Sequence, residues 1–206
     1  DSLSTMTHPT QALHIPDTQS ERDERHLAIQ RVGVKDVRYP LRVVVGGVEQ
    51  QTAAVWSLDV ALPAEKKGTH MSRFVAWLDG LDAALDAQVL RDKLAGMLVL
   101  LGASEGRIES RFSFFLRKRA PVSGVSSLMD YQGRWIAEAR DGRTTVWTEV
   151  AVPVKSLCPC SKEISDYGAH NQRSTVTIRV ETHAPVAWEE LVRFAEVNAS
   201  SELWAL

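Results

Sequence analysis

Two cysteines and a histidine share one short segment. In Lys155-Ser-Leu-Cys-Pro-Cys-Ser-Lys-Glu-Ile-Ser-Asp-Tyr-Gly-Ala-His-Asn-Gln-Arg173, Cys158 and Cys160 flank Pro159, and His170 follows Cys158 by twelve residues (170 − 158). A thiolate and an imidazole suit zinc or a neighbouring divalent ion. A catalytic site of that type uses about three protein ligands and keeps a position for water, whose pKa falls toward neutrality. Cys158 and His170 are therefore the metal and catalytic candidates, and a third ligand, such as a carboxylate, must come from elsewhere. Spacing alone leaves other readings open: a structural half-site, a redox pair or ordinary packing, because Cys-x-Cys is less specific than paired Cys-x-x-Cys. As a nucleophile, Cys158 would need its pKa lowered by Lys155, Lys162 or His170.

A second cluster is Glu65-Lys-Lys-Gly-Thr-His-Met-Ser-Arg73, at the entry to a predicted helix. Gly68 permits close backbone approach, the helix start offers free amide donors, and Lys66, Lys67 and Arg73 add positive charge. Together these suit phosphate. His70 is an imidazole of the kind used for general acid or base work near neutral pH. The plain alternative is a solvated basic helix start with a surface histidine. Arg117-Lys-Arg119 reads as a solvated strand end or as a contributor to a triphosphate pocket. His8, His14, His26 and His183 have no evident partner.

These segments must be held by the elements around them. Leu41–Val45 alternates before Gly46-Gly47, and Ala54, Trp56, Leu58, Val60 and Leu62 share one face of a second run, with Ser57 and Asp59 opposite. Period two predicts half-buried antiparallel strands. Met71, Phe74, Val75, Leu78 and Leu81 follow helical spacing, with Thr69 or Ser72 as the cap. A second helix opens at Asp86, buries Val89, Leu90, Leu94, Met97, Leu98 and Leu101, and ends near Gly102. Strands return at Ile108, Phe112, Phe114 and Leu116 and, after a Pro-Val-Ser-Gly turn, at Tyr131, Trp135 and Ala137. Asp141-Gly142 signals a hairpin into Val146, Thr148, Val150 and Val152. A loop at 156–171 precedes a strand with Val176, Ile178 and Val180, then a helix with Trp188, Leu191, Phe194 and Ala195.

The order is strand, strand, helix, helix, strand, strand, and then the same series begins again, stopping part-way at Trp204-Ala-Leu206. An α+β protein with helices on one face of an antiparallel sheet is expected. Residues 1–30 read as a polar N-terminal arm, 31–141 as a first module and 142–206 as a second, C-terminally incomplete one. The chain has 206 residues, is 44% hydrophobic and carries a formal charge of −2, so no global field points to nucleic acid or an acidic membrane. No apolar run approaches a membrane span and no secretory pattern opens the chain. Two cysteines exclude a disulfide framework, and a reducing cytoplasm is the natural compartment.

The segment Ser156–Arg173 resembles the signature of the GTP cyclohydrolase IB family, and Lys67-Gly-Thr-His-Met-Ser-Arg-Phe74 is similar to its other hallmark. Asp23-Glu-Arg, Gly33-Val-Lys-Asp-Val-Arg-Tyr-Pro40 and Arg117-Lys-Arg-Ala-Pro-Val-Ser-Gly124 support it, and the match runs from about residue 17. The resemblance implies a tunnelling fold of two tandem modules and a homotetramer with active sites between subunits. It implies hydrolysis of GTP to formate and 7,8-dihydroneopterin triphosphate, the entry step to folate, by water activated at a divalent metal, zinc or manganese, attacking carbon 8 of guanine. By position Cys158 and His170 match the metal ligands, with a third, a glutamate, expected just past Leu206. Lys67, His70, Ser72, Arg73, Asn171 and Arg173 are the substrate-binding candidates. One rival is a tunnelling-fold nitrile reductase with a nucleophilic cysteine and NADPH, since one fold hosts several chemistries. Another is a non-catalytic purine- or pterin-binding module.

Overall fold

Side chains alternate across a strand, so the long polar–apolar runs become strands with one apolar face. The computed structural model describes residues 31–63, 68–157 and 171–204. Its long strands are β1 (Val32–Val45), β2 (Val48–Val60), β3 (Gly106–Arg119), β4 (Ser126–Arg140), β5 (Arg143–Leu157) and β6 (Asn171–Glu181). They form one sheet in that order, each antiparallel to its neighbours. A short β7 (Ser201–Glu202) pairs with β5 at Val154 and Lys155. Among the described residues the helices are α1 (Ser72–Asp79), α2 (Ala87–Leu101) and α3 (Trp188–Val197). They supply Phe74, Leu90, Leu94, Met97 and Trp188 to one continuous core with Trp56, Leu58, Ile108, Phe114 and Val150 of the sheet. Fully burying each large side chain contributes about 1.5–3 kcal/mol. The architecture is the expected α+β arrangement.

Local signals account for most of the boundaries. Asp86 accepts a hydrogen bond from the Val89 amide at 2.8 Å to start α2, and Gly102 ends it in the left-handed region at φ 59°. Asp141 and Gly142 take φ values of 51° and 73°, closing the β4–β5 hairpin as expected. α3 docks through Trp188, whose ring centroid lies 5.1–5.4 Å from those of Phe112, Phe114 and Trp135. Gly133 makes room for this cluster: a Cβ there would approach the Phe112 ring to 2.9 Å.

Several expectations need correction. β1 begins at Val32, not Leu41, because Pro40, which lacks an amide proton, is tolerated in an edge strand. Neither Thr69 nor Ser72 caps α1: Met71 holds the cap position without a side-chain bond, Ser72 is the first helical residue, and the Thr69 hydroxyl is buried with no hydrogen-bond partner among the described residues. α1 buries Trp77 with Phe74 and Leu78, while Val75 is exposed, because the indole N–H of Trp77 reaches the Lys93 carbonyl at 2.9 Å. In α3 Val192 joins Trp188, Leu191 and Ala195 in the core, and Phe194 faces out. The ends of the 156–171 loop are strand: Ser156 and Leu157 belong to β5 and Asn171 to β6. The proposed arm, residues 1–30, lies outside the described residues.

The sheet is not paired along its whole length. β2 and β3 part beyond Ala54↔Phe112, and β4 leaves β5 beyond Gln132↔Ala151. The Gln50 side chain bridges the first gap, accepting from the Phe115 amide at 2.9 Å and donating to the Phe115 carbonyl at 2.6 Å. β7 fills the second gap against β5.

Candidate functional site

The strands deliver both chemical segments at their ends. Leu157 and Asn171 are Cα partners in the β5–β6 ladder. Cys158 and His170, each one peptide further along, lie outside the described residues, as do Cys160 and Lys67. Arg173 pairs with Lys155 and is exposed. Among the described residues no three His, Cys, Asp or Glu side chains come together as a metal site.

The described part of the second cluster, residues 68–73, sits at the other end of the sheet. Val60 pairs with Gly106, Gly106 with Ala139, and Ala139 with Thr144, which defines one row across four strands. The start of α1 is next to that row: Arg73 Nη1 donates to the Leu100 carbonyl at 3.4 Å in the last turn of α2, and Leu98 packs against Gly106. His70 is half-buried and its carbonyl accepts from the Arg73 amide at 3.0 Å, while Ser72 and Arg73 are exposed. Leu157 lies thirteen residues (157 − 144) beyond Thr144 on β5. At about 3.3 Å per residue this is on the order of 40 Å along the strand. Within one chain, His70, Ser72 and Arg73 are therefore not brought together with Arg173 or with the strand ends that flank Cys158 and His170.

The face of the sheet away from the helices is polar. Arg107, Glu109, Arg134, Glu149 and Arg179 form a chain of ion pairs across β3 to β6, with N–O distances of 2.5–3.3 Å. Glu109 and Glu149 are each shared between arginines, so this network fixes the sheet and its cations are already engaged. A groove of about 690 Å³ on this face is lined by Arg31, Lys35, Asp36, Asp59 and Arg111 among others. Its Arg31 pairs with Asp59 and its Arg111 with Asp36, the latter at 2.9 Å.

One cluster was missed by sequence reasoning. Lys118, read as part of a solvated strand end, is only 11% exposed. Its Nζ donates to Glu196 Oε1 at 2.6 Å and to the Leu203 carbonyl at 2.7 Å, and pairs with Glu202 Oε2 at 2.7 Å. The Trp204 ring lies 5.4 Å away and Tyr131 donates to Glu196 at 3.1 Å. The signal was the β3 alternation: Ile108, Ser110, Phe112 and Phe114 face inward, and Lys118 continues that even-numbered series. His183, read as lacking a partner, lies 3.6 Å from Glu181 on the surface.

Burial, reinforced by the charge of Glu196, pushes the Tyr131 phenol well above its ordinary pKa. A pKa raised in the folded state gives stability that is complete below about pH 10 and is lost as pH rises further, because the unfolded chain ionises first. In an alkaline absorbance titration Tyr131 should form its phenolate only as the protein unfolds, and Tyr131→Phe should weaken the stability loss above about pH 10. A Tyr131 phenolate appearing in the folded protein at the ordinary tyrosine pKa would contradict the burial assigned to it.

The described residues define an α+β protein built on one antiparallel sheet. Residues 15–206 match the family described as Type I GTP cyclohydrolase folE2. A protein of Methylibium petroleiphilum named GTP cyclohydrolase FolE2 is 65% identical, over 94% of this chain and 75% of its own length. Proteins of the same name from Paraburkholderia xenovorans and Burkholderia multivorans are 55% and 54% identical, each over 98% of this chain and 75% of their own length. The chain belongs to the type I GTP cyclohydrolase folE2 family.

Proposed function

We propose that this chain is a GTP cyclohydrolase of folate biosynthesis, of the type IB subclass. It converts GTP and water to formate and 7,8-dihydroneopterin triphosphate in the cytoplasm. Family membership and the relatives' shared name support the activity. The observation that most supports the assigned site is the Leu157↔Asn171 pair. It tethers Cys158 and His170, by one peptide each, to adjoining strand ends. That donor set, a thiolate and an imidazole, fits zinc or manganese, with zinc the better match to sulfur. Cys158 and His170 would hold the ion, which when bound supplies Lewis acidity and a water of lowered pKa.

The remaining roles fall to the chain's own groups. Lys67 and Arg73 bind the triphosphate near the start of α1, where the positive end of the helix favours anions. Ser72 donates a hydrogen bond to the same group. His70 moves a proton at neutral pH. Asn171 and Arg173 orient the substrate at the β5–β6 end. Because these two sets lie at opposite ends of one sheet, each working site takes its halves from two chains, in keeping with a symmetric homotetramer. We read residues 31–141 as one tunnelling-fold module and 142–206 as part of a second, whose sheet continues the first through the β4–β5 hairpin.

Chelation should abolish formate release from GTP, and added zinc or manganese should restore it. Formate release that persists unchanged in metal-free protein would overturn the metal-activated water. GTP binding without a fluorescent neopterin product favours a binding module.

A further inference from the structure

We propose that Lys118 is a positioning residue for the reaction. By tying Glu196, Glu202 and Leu203 to β3, it holds β7 against the end of β5 from which the Cys158–His170 segment departs. The inference rests on the reading of Cys158 as a metal ligand.

β4 leaves β5 after Ala151, so the last residues of β5 lose their neighbour on that side. Only Ser201 and Glu202 of β7 replace it, together with the Ser200 hydroxyl, which accepts from the Leu157 amide at 3.3 Å. A two-residue strand cannot hold itself in place, since isolated pairings of this size are marginal at best. The restraint comes from the side chains beneath it. Lys118 has three ammonium protons and meets three oxygens, from Glu196, Glu202 and Leu203, at 2.6–2.7 Å. Glu196 is fixed from α3 and takes a further bond from Tyr131, so α3, β3, β4 and β7 meet at one ammonium.

The charge count gives the arrangement its direction. One cation faces two carboxylates. Without the cation, Glu196 and Glu202 repel each other in a site where Glu196 is only 11% exposed. Glu202, at 40% exposure, has a route to solvent, and leaving by it carries β7 away from Val154 and Lys155. The Leu157 amide, directly before Cys158, then loses its anchor.

The test is cobalt(II) titration of the full chain, read by the thiolate-to-metal charge-transfer band, alongside GTP turnover and thermal melting. Lys118→Met should bind cobalt about 10- to 100-fold more weakly, the size of effect seen when support around a metal ligand is removed. Its kcat should fall while KM for GTP stays within about threefold, because the phosphate candidates sit at the other end of the sheet. Lys118→Arg, which keeps the charge, should recover most of both. Ser200→Ala, an exposed change that removes only the Leu157 anchor, should weaken cobalt binding about two- to tenfold. Cobalt affinity and kcat at parent values in a folded but less stable Lys118→Met would overturn the proposal. If that variant does not fold, parent-like affinity in both Ser200→Ala and Glu202→Gln overturns it instead. Cys158→Ala provides the separating control: parent-like cobalt binding there refutes the metal site itself, whatever Lys118 does.

Discussion

Cys158→Ala is expected to lose bound metal and GTP turnover together, whereas Cys160→Ala should keep metal stoichiometry close to that of the parent. The two sulfurs are two residues apart, and composition treats them alike. Strand register separates them. The last pair of the β5–β6 ladder is Leu157↔Asn171, so in sequence residue 158 directly follows one member of that pair and residue 170 directly precedes the other. Residue 160 stands two peptides further from that anchor. A ligand pair for one ion is best built next to a rigid element, where less ordering entropy opposes binding. Losing a ligand should exceed the roughly 10- to 100-fold cost typical of its supporting partners. His170→Ala should match Cys158→Ala. Elemental analysis of the purified variants, with a neopterin fluorescence assay, decides the matter. Equal losses in the two cysteine variants would mean that the assignment picked the wrong sulfur, and full metal content in Cys158→Ala would remove the thiolate from the site.

Much of this molecule was legible from side-chain periodicity, and the exceptions share a cause. β2, β3 and β5 alternate cleanly because only one face meets the core, and α2 carries its start signal, Asp86, and its stop signal, Gly102, in the local sequence. α1 was located correctly but its buried face was misjudged. Val75 and Trp77 both fit an apolar face by type, and the choice fell to a distant carbonyl on Lys93, which satisfies the indole. Pro40 hid the first half of β1, since whether proline is allowed depends on which strand lies at the edge. Lys118 was hidden by its neighbours: in Arg117-Lys-Arg119 a charge run masks an inward position, and only the phase of β3 reveals it.

The candidate segments were legible by residue type, and their placement was not. Cys158, His170 and the basic start of α1 were identifiable from residue type and spacing. That the start of α1 and the Leu157↔Asn171 pair stand at opposite ends of the sheet follows from pairing between strands far apart in sequence, which no local pattern encodes. The same register keeps His70, Ser72 and Arg73 apart from Arg173 within a single chain.

This separation leads to the second large effect. A His70→Ala/Arg73→Ala chain and a Cys158→Ala chain should each be inactive alone, yet regain activity when co-expressed and purified together through two different tags. If one half of a site comes from the α1 end of one chain and the other from the β5–β6 end of its neighbour, some mixed sites contain no substituted residue. With equal amounts and random assembly, each half is intact with a probability of about one half, so activity should reach roughly one quarter of the parent value in a symmetric oligomer. The metal content of the mixture should be about half that of the parent, because only the chains with Cys158 bind. These two fractions differ for a physical reason: metal binding needs one intact end, while turnover needs both. A site confined to one chain gives the same half-occupancy of metal but no recovered turnover, since every chain then carries a defect. Co-purified mixtures with half the metal and no activity above that of the separate variants would therefore refute the shared site while leaving the Cys158–His170 assignment standing.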